Sequence, residues 1–119
     1  MRERGAELEE WLRSDDRHRD SGDGGETIHP RHIRIHARVF GRVQGVGFRY
    51  SAVRVAKRVQ VTGWVRNERD GSVTVEAQGS DQAIGAMKRW LGEGPSWAHV
   101  DNIEIERIRP RKERDFVVR

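Results

Sequence analysis

The apolar spacing of this chain changes period over a few residues, and the change falls on a glycine-rich run. Ile33, Ile35, Ala37 and Val39 alternate with Arg34, His36 and Arg38, which predicts a strand with one buried face. Phe48, Ala52, Val55, Ala56 and Val59 then recur at helical spacing, one stripe of an amphipathic helix. Between them stands Gly41-Arg42-Val43-Gln44-Gly45-Val46-Gly47. A strand that feeds a helix through glycines presents a set of backbone N–H groups that the helix itself does not satisfy.

The rest of the chain extends the pattern. Val61, Gly63 and Val65 resume alternation, Asp70-Gly71 supplies a hairpin turn, and Val73, Val75 and Ala77 form the returning strand. Ser80 can cap a second helix whose face is Ala83, Met87, Trp90 and Leu91, and Gly92 is expected to stop it. Gly94-Pro95 reads as a loop. Val100, Ile103 and Ile105 predict a fourth strand, with a phase break at Asp101-Asn102 that reads as a bulge. After Pro110, Phe116 and Val118 can make a short last strand. Two split βαβ units in this order predict an α+β, ferredoxin-like βαββαβ sandwich. Its antiparallel sheet carries both helices on one face, and the short C-terminal strand is an addition. That fold hosts many unrelated functions.

Composition narrows the function classes. No apolar run approaches the roughly 18 residues of a spanning helix, and the start Met1-Arg2-Glu3-Arg4 lacks the apolar stretch of a signal peptide. The 119 residues include no cysteine, which removes disulfides, thiolate catalysis and Cys-ligated zinc together. A cytoplasmic protein without a membrane partner is the expectation. The net charge of +4 is uneven: residues 1–32 hold 6 basic and 9 acidic side chains, residues 33–119 hold 17 and 10. A basic domain over 33–119 therefore follows an acidic extension over 1–32, and the domain's expected partner is an anion. The extension has few large apolar side chains. Its Leu8, Trp11 and Leu12 have helical spacing, but disorder is the expectation, because so little apolar surface cannot offset ordering entropy. His29, His32 and His36 cross Pro30 and run into a strand, a poor arrangement for a metal site.

The glycine-rich run is the candidate anion site. Gly45 and Gly47 allow conformations that turn several N–H groups inward, and the helix dipole favours negative charge at that end. Arg49 lies in the first helical turn, off the buried stripe. The dipole repels a cation there, so the placement makes sense once a dianion sits in the loop and a guanidinium grips its oxygens in bidentate fashion. The alternative is a plain connection with a surface arginine. The spacing is neither Gly-Lys-Ser/Thr nor Gly-x-Gly-x-x-Gly, which disfavours a nucleotide.

These residues resemble the acylphosphatase family. Its first signature, Gly-x-Val-Gln-Gly-Val-x-Phe-Arg, is matched at every specified position by residues 41–49. The second is matched by Gly63-Trp64-Val65-Arg66-Asn67, then Gly71-Ser72-Val73 and Gly79. Lys88-Arg89-Trp90-Leu91 with Gly94-Pro95, Ala98 and Val100 resembles the family's second helix and following strand. The resemblance covers roughly residues 33–119; the extension and the ending Phe116-Val117-Val118-Arg119, where many members finish on an aromatic residue, depart from it. It implies hydrolysis of carboxyl-phosphate anhydrides to a carboxylate and inorganic phosphate, without metal or cofactor. Arg49 would bind the phosphoryl group and Asn67 would position the attacking water. Backbone N–H groups around Gln44, Gly45, Val46, Gly47 and Phe48 would complete the cradle. The expected partners are a small acyl phosphate and its phosphate product, with no nucleic acid, and the expected state is a monomer.

The bare residues leave other readings open. Asn67 before Glu68-Arg69-Asp70-Gly71 could merely favour a turn. Trp64 is expected on the sheet face opposite the helices, packed beside the site. Arg42 and Arg66 are expected to be solvated and to steer anions. A basic ferredoxin-like domain could bind RNA on its sheet, but the string Gln44-Gly45-Val46-Gly47-Phe48-Arg49-Tyr50 lacks the required base, aromatic and aliphatic positions. A non-catalytic acylphosphatase-like module is a third option, and the presence of both Arg49 and Asn67 argues against it.

Overall fold

A computed structural model describes residues 32–119. The expectations for the acidic extension, its short helix and His29 lie outside the described residues.

The elements run β1 (Ile33–Arg42), α1 (Phe48–Val59), β2 (Thr62–Asn67), β3 (Val73–Gly79), α2 (Asp81–Glu93), β4 (His99–Ile108) and β5 (Phe116–Val118). They form one five-stranded sheet in the order β4-β1-β3-β2-β5. The first four strands pair antiparallel, as the βαββαβ pattern predicts. β5 joins parallel to β2, with Gly63 opposite Phe116, so the complete sheet is mixed. The bulge expected at Asp101-Asn102 is present. Phe40 pairs with Asn102 and Gly41 with Val100, which leaves Asp101 unpaired.

Period-two alternation sorts the sheet's side chains. Ile35, Ala37, Val39, Val65, Val73, Val75, Ala77 and Phe116 turn to one side and are buried there with Phe48, Ala52, Ala56 and Val59 of α1. Ala83, Ile84, Ala86, Met87 and Leu91 of α2 close the same core. Each fully buried Val, Ile, Leu, Phe or Met side chain contributes about 1.5–3 kcal/mol over its exposed state. Arg34, His36, Arg38, Trp64, Thr74, Glu76 and Gln78 face the other way.

α2 runs past its expected stop. Gly92 lies inside it, and the helix ends at Glu93. Gly94, at φ 72°, donates its N–H to Trp90 O at 2.7 Å. A glycine stops a helix only when the chain uses it in the left-handed conformation, and the buried Leu91 continues the turn through position 92.

Candidate active site

The loop between β1 and α1 is anchored at both ends by apolar side chains. Val43 and Phe48 are each 1% exposed, and the Phe48 ring lies 5.1 Å from that of Trp90. Between these anchors Gly45 and Gly47 take φ values of 75° and 81°. A Cβ at either position would meet nothing within 4 Å. Glycine is needed there for its backbone, not for lack of room.

The two helix starts differ in a way that bears on chemistry. Ser80 Oγ caps α2 by accepting from Ala83 N–H at 3.1 Å, and Asp81 adds a negative charge to the first turn. α1 begins after Gly47 with no capping side chain and no acid in its first turn. Its ladder opens with Ser51 N–H donating to Gly47 O at 3.0 Å. The N–H groups of Phe48, Arg49 and Tyr50 precede that bond and have no intrahelical acceptor. Arg49 is exposed and makes no ion pair or side-chain hydrogen bond with any described residue. Two other arginines of the sheet are paired: Arg38 with Asp70 at 2.8 Å and Arg66 with Glu68 at 3.0 Å.

Asn67 is the last residue of β2 and by alternation shares the helix side with Gly63 and Val65. It enters a cleft of about 290 Å³ lined also by Val43, Gly45, Gly47, Phe48, Arg49, Tyr50 and Val118. Its Oδ1 is buried and accepts no hydrogen bond from a described residue. Leaving such an acceptor unsatisfied costs about 1–3 kcal/mol, so the carboxamide gains by turning Oδ1 to a donor bound in the cleft. The structure thus brings together Arg49, Asn67, Gly45, Gly47 and Phe48. The side chains of Gln44 and Val46 do not line the cleft. Val46 packs against the core, and Gln44 turns to the β2–β3 hairpin.

Among the described residues no carboxylate or imidazole lines the cleft, and the acids closest in sequence to Asn67 are engaged elsewhere. Glu68 accepts from Thr74 and pairs with Arg66, which together hold its carboxyl below the usual range. Asp70 accepts from Ser72 Oγ and N–H at 2.6 and 2.9 Å, and these bonds, with Arg38, lower it likewise. Among the described residues no group of three His, Cys, Asp or Glu side chains could hold a metal ion. His36 instead meets Glu76 Oε2 at 2.8 Å.

Trp64 is on the face opposite the helices, as expected, and is not among the residues that line the cleft; it lies under the guanidinium groups of Arg66 and Arg119, 4.9 and 5.0 Å from the ring centre. Arg66 is exposed, as expected, and is both stacked on Trp64 and paired with Glu68. Conversely, Tyr50 and Val118 line the cleft without having been anticipated. Tyr50 sits off the buried stripe of α1 beside Arg49, a position that could have signalled it. Val118 reaches the cleft only because β5 pairs with β2, which no local pattern announces.

The acylphosphatase family model matches residues 35–118. A Pseudomonas aeruginosa acylphosphatase is 46% identical over 87 residues, covering 73% of this chain and 96% of that protein. An acylphosphatase of Bifidobacterium longum is 52% identical over 73 residues, 61% of this chain and 75% of that protein. The solved acylphosphatase of Coxiella burnetii superposes with a TM-score of 0.72 at 42% identity, covering 75% of this chain and 94% of that one.

Proposed function

This chain belongs to the acylphosphatase family, and from that premise we propose that Arg49 and the amides of the loop hold the phosphoryl group while Asn67 aims the attacking water. The activity itself is that of an acylphosphatase, a hydrolase acting on acyl phosphates. The observation that carries the division of roles is the convergence, in one cleft, of a guanidinium with no partner among the described residues, glycine-rich backbone and the unsatisfied Oδ1 of Asn67.

The chemistry suits those groups. Phosphoryl transfer to water needs the phosphoryl group held in line and the charge on its oxygens compensated. Arg49 and the N–H groups around Gln44, Gly45, Val46, Gly47 and Phe48 supply that compensation, by the logic of an oxyanion hole. Asn67 Oδ1 accepts from the water and its amide N–H₂ can donate, so it orients the nucleophile without being a base. Water oxygen bonds to phosphorus as the bond to the acyl oxygen breaks, and the carboxylate leaves with the bonding pair. Among the described residues none that lines the cleft is a base, and in this reading a phosphate oxygen takes the water's proton. The site's partners are thus a small acyl phosphate and product phosphate.

The same proposal assigns the activity to residues 33–119 as a cytoplasmic monomer that needs neither the acidic segment 1–32 nor nucleic acid. The family match from residue 35 onward supports that boundary, and no helix among the described residues is long and apolar enough to cross a membrane.

The test is phosphate release from acetyl phosphate. Asn67→Ala is expected to abolish turnover while inorganic phosphate still inhibits competitively. Arg49→Ala should weaken both turnover and phosphate inhibition, turnover by roughly 10²–10³ as for loss of one preorganised donor. Loss of phosphate inhibition in Asn67→Ala would show the two roles to be wrongly divided.

A further inference from the structure

Gln44 belongs to the glycine-rich loop, yet its carboxamide points away from the cleft. Nε2 donates to Glu68 O at 2.8 Å and to Ser72 O at 2.9 Å. Both partners are acceptors, so only the amide nitrogen can face them, and both of its protons are used. The two carbonyls close the base of the β2–β3 hairpin, where Glu68 N–H donates to Ser72 O at 2.9 Å and Gly71 N–H to Glu68 O at 3.2 Å. Asn67 immediately precedes this closure. The hairpin is further tied by Ser72 N–H and Oγ donating to Asp70 and by Arg38 donating to Ser72 Oγ and Asp70. The turn is hydrogen-bonded within itself, and Gln44 is the side chain of the loop that couples the two.

We propose that Gln44 is a positioning residue: its carboxamide is a strut that sets the distance from the loop to Asn67, and so aligns the water with the phosphoryl group. The proposal rests on the roles given above to the loop and to Asn67. Its content is separate from the backbone N–H of Gln44, which any residue would supply. A strut of this kind leaves the anion's own ligands in place, so its loss is felt in kcat and little in phosphate affinity. In-line displacement tolerates little error, and a misplacement near 1 Å costs roughly 10²-fold in rate.

Gln44→Ala and Gln44→Glu test this with acetyl phosphate as substrate and inorganic phosphate as inhibitor. Gln44→Ala is expected to lower kcat by roughly tenfold to hundredfold, with a phosphate inhibition constant close to the parent's. In Gln44→Glu a carboxylate faces two carbonyl oxygens, which raises its pKa; once protonated it regains one O–H donor. Its kcat relative to the parent should therefore climb as pH falls from about 8 to about 5, a dependence that mere destabilisation does not produce. Amide exchange at Glu68 and Gly71 should quicken in Gln44→Ala while the core amides of β3 keep their protection.

A kcat in Gln44→Ala within a factor of two of the parent overturns the proposal. So does a phosphate constant that worsens in step with kcat, or a flat pH ratio for Gln44→Glu. Should Gln44→Ala not fold, the acid recovery of Gln44→Glu decides the matter alone. If Asn67→Ala retains turnover, the water-positioning role fails, and the exchange data still judge whether Gln44 holds the hairpin.

Discussion

Arg49 is the one residue of the cleft whose charge the catalytic proposal requires, and no described residue pairs with it. Arg38 and Arg66, by contrast, each hold a carboxylate. A lysine at position 49 would keep the charge but lose the planar fork that grips two oxygens at once. Arg49→Lys is accordingly expected to raise the phosphate inhibition constant roughly tenfold, with kcat falling at least as much. Equal values in the two proteins would mean that the site asks only for a point charge. The motif made both Arg49 and Asn67 readable in the sequence. What no motif shows is that Asn67 Oδ1 is buried and unsatisfied, because that depends on which atoms of other elements surround it.

The two helices start differently. α2 has its Ser80 cap and Asp81, and Ser80→Ala should cost about 1 kcal/mol of stability, seen as a lower urea midpoint with kcat unchanged. α1 lacks both devices, and its first N–H groups, on residues that line the cleft, have no intrahelical acceptor. Placing an acid there inverts the electrostatics: Tyr50→Glu is expected to help the isolated helix through its dipole while repelling the anion. Its phosphate inhibition constant should rise several-fold, and more at low than at high ionic strength. A salt-independent effect would point to lost ring contact instead. Helix and strand identity were legible from period alone, and the bulge at Asp101 from a break in phase. The end of α2 was not, since Gly92 and Gly94 look alike until one of them adopts a positive φ.

Across the whole molecule, the sheet face away from the helices is held by a buried charge. The Arg34 side chain is 0% exposed and donates to Glu76 and Gln78 of β3 and to Glu113, at 2.6 Å, of the connection leading to β5. Arg111 adds a reciprocal pair of bonds to the Gln78 amide at 2.8 and 2.9 Å. Burial alone would lower the Arg34 pKa; the hydrogen bonds and charges of Glu113 and Glu76 outweigh it and raise it. Removing the guanidinium leaves Glu76 with His36 and takes from Glu113 its guanidinium partner, at carboxylates only 15% and 14% exposed. Arg34→Ala is therefore expected to lose about 3–5 kcal/mol in urea unfolding. Burial pushes the Glu76 carboxyl up, but His36 and Arg34 hold it below its ordinary 4.5. Since the unfolded chain then binds the proton first, Glu76 contributes stability above pH 4.5 that is lost as pH falls through its lower folded value. The urea midpoint should drop over that window, and less steeply in Glu76→Gln.

The order and type of the elements, the buried stripe of α1 and the glycine-rich loop were all determined locally, by spacing and by side-chain chemistry that act within a few residues of each other. The tertiary structure alone decided that Val118 would wall the cleft, that the Gln44 side chain would bond the hairpin rather than face the cleft, and that Arg34 would be buried between two carboxylates. Each of these joins positions 24 or more residues apart, through sheet pairing or a connection that crosses the sheet. Period and motif describe a residue's own element; only the packing of elements settles what lies on its other side.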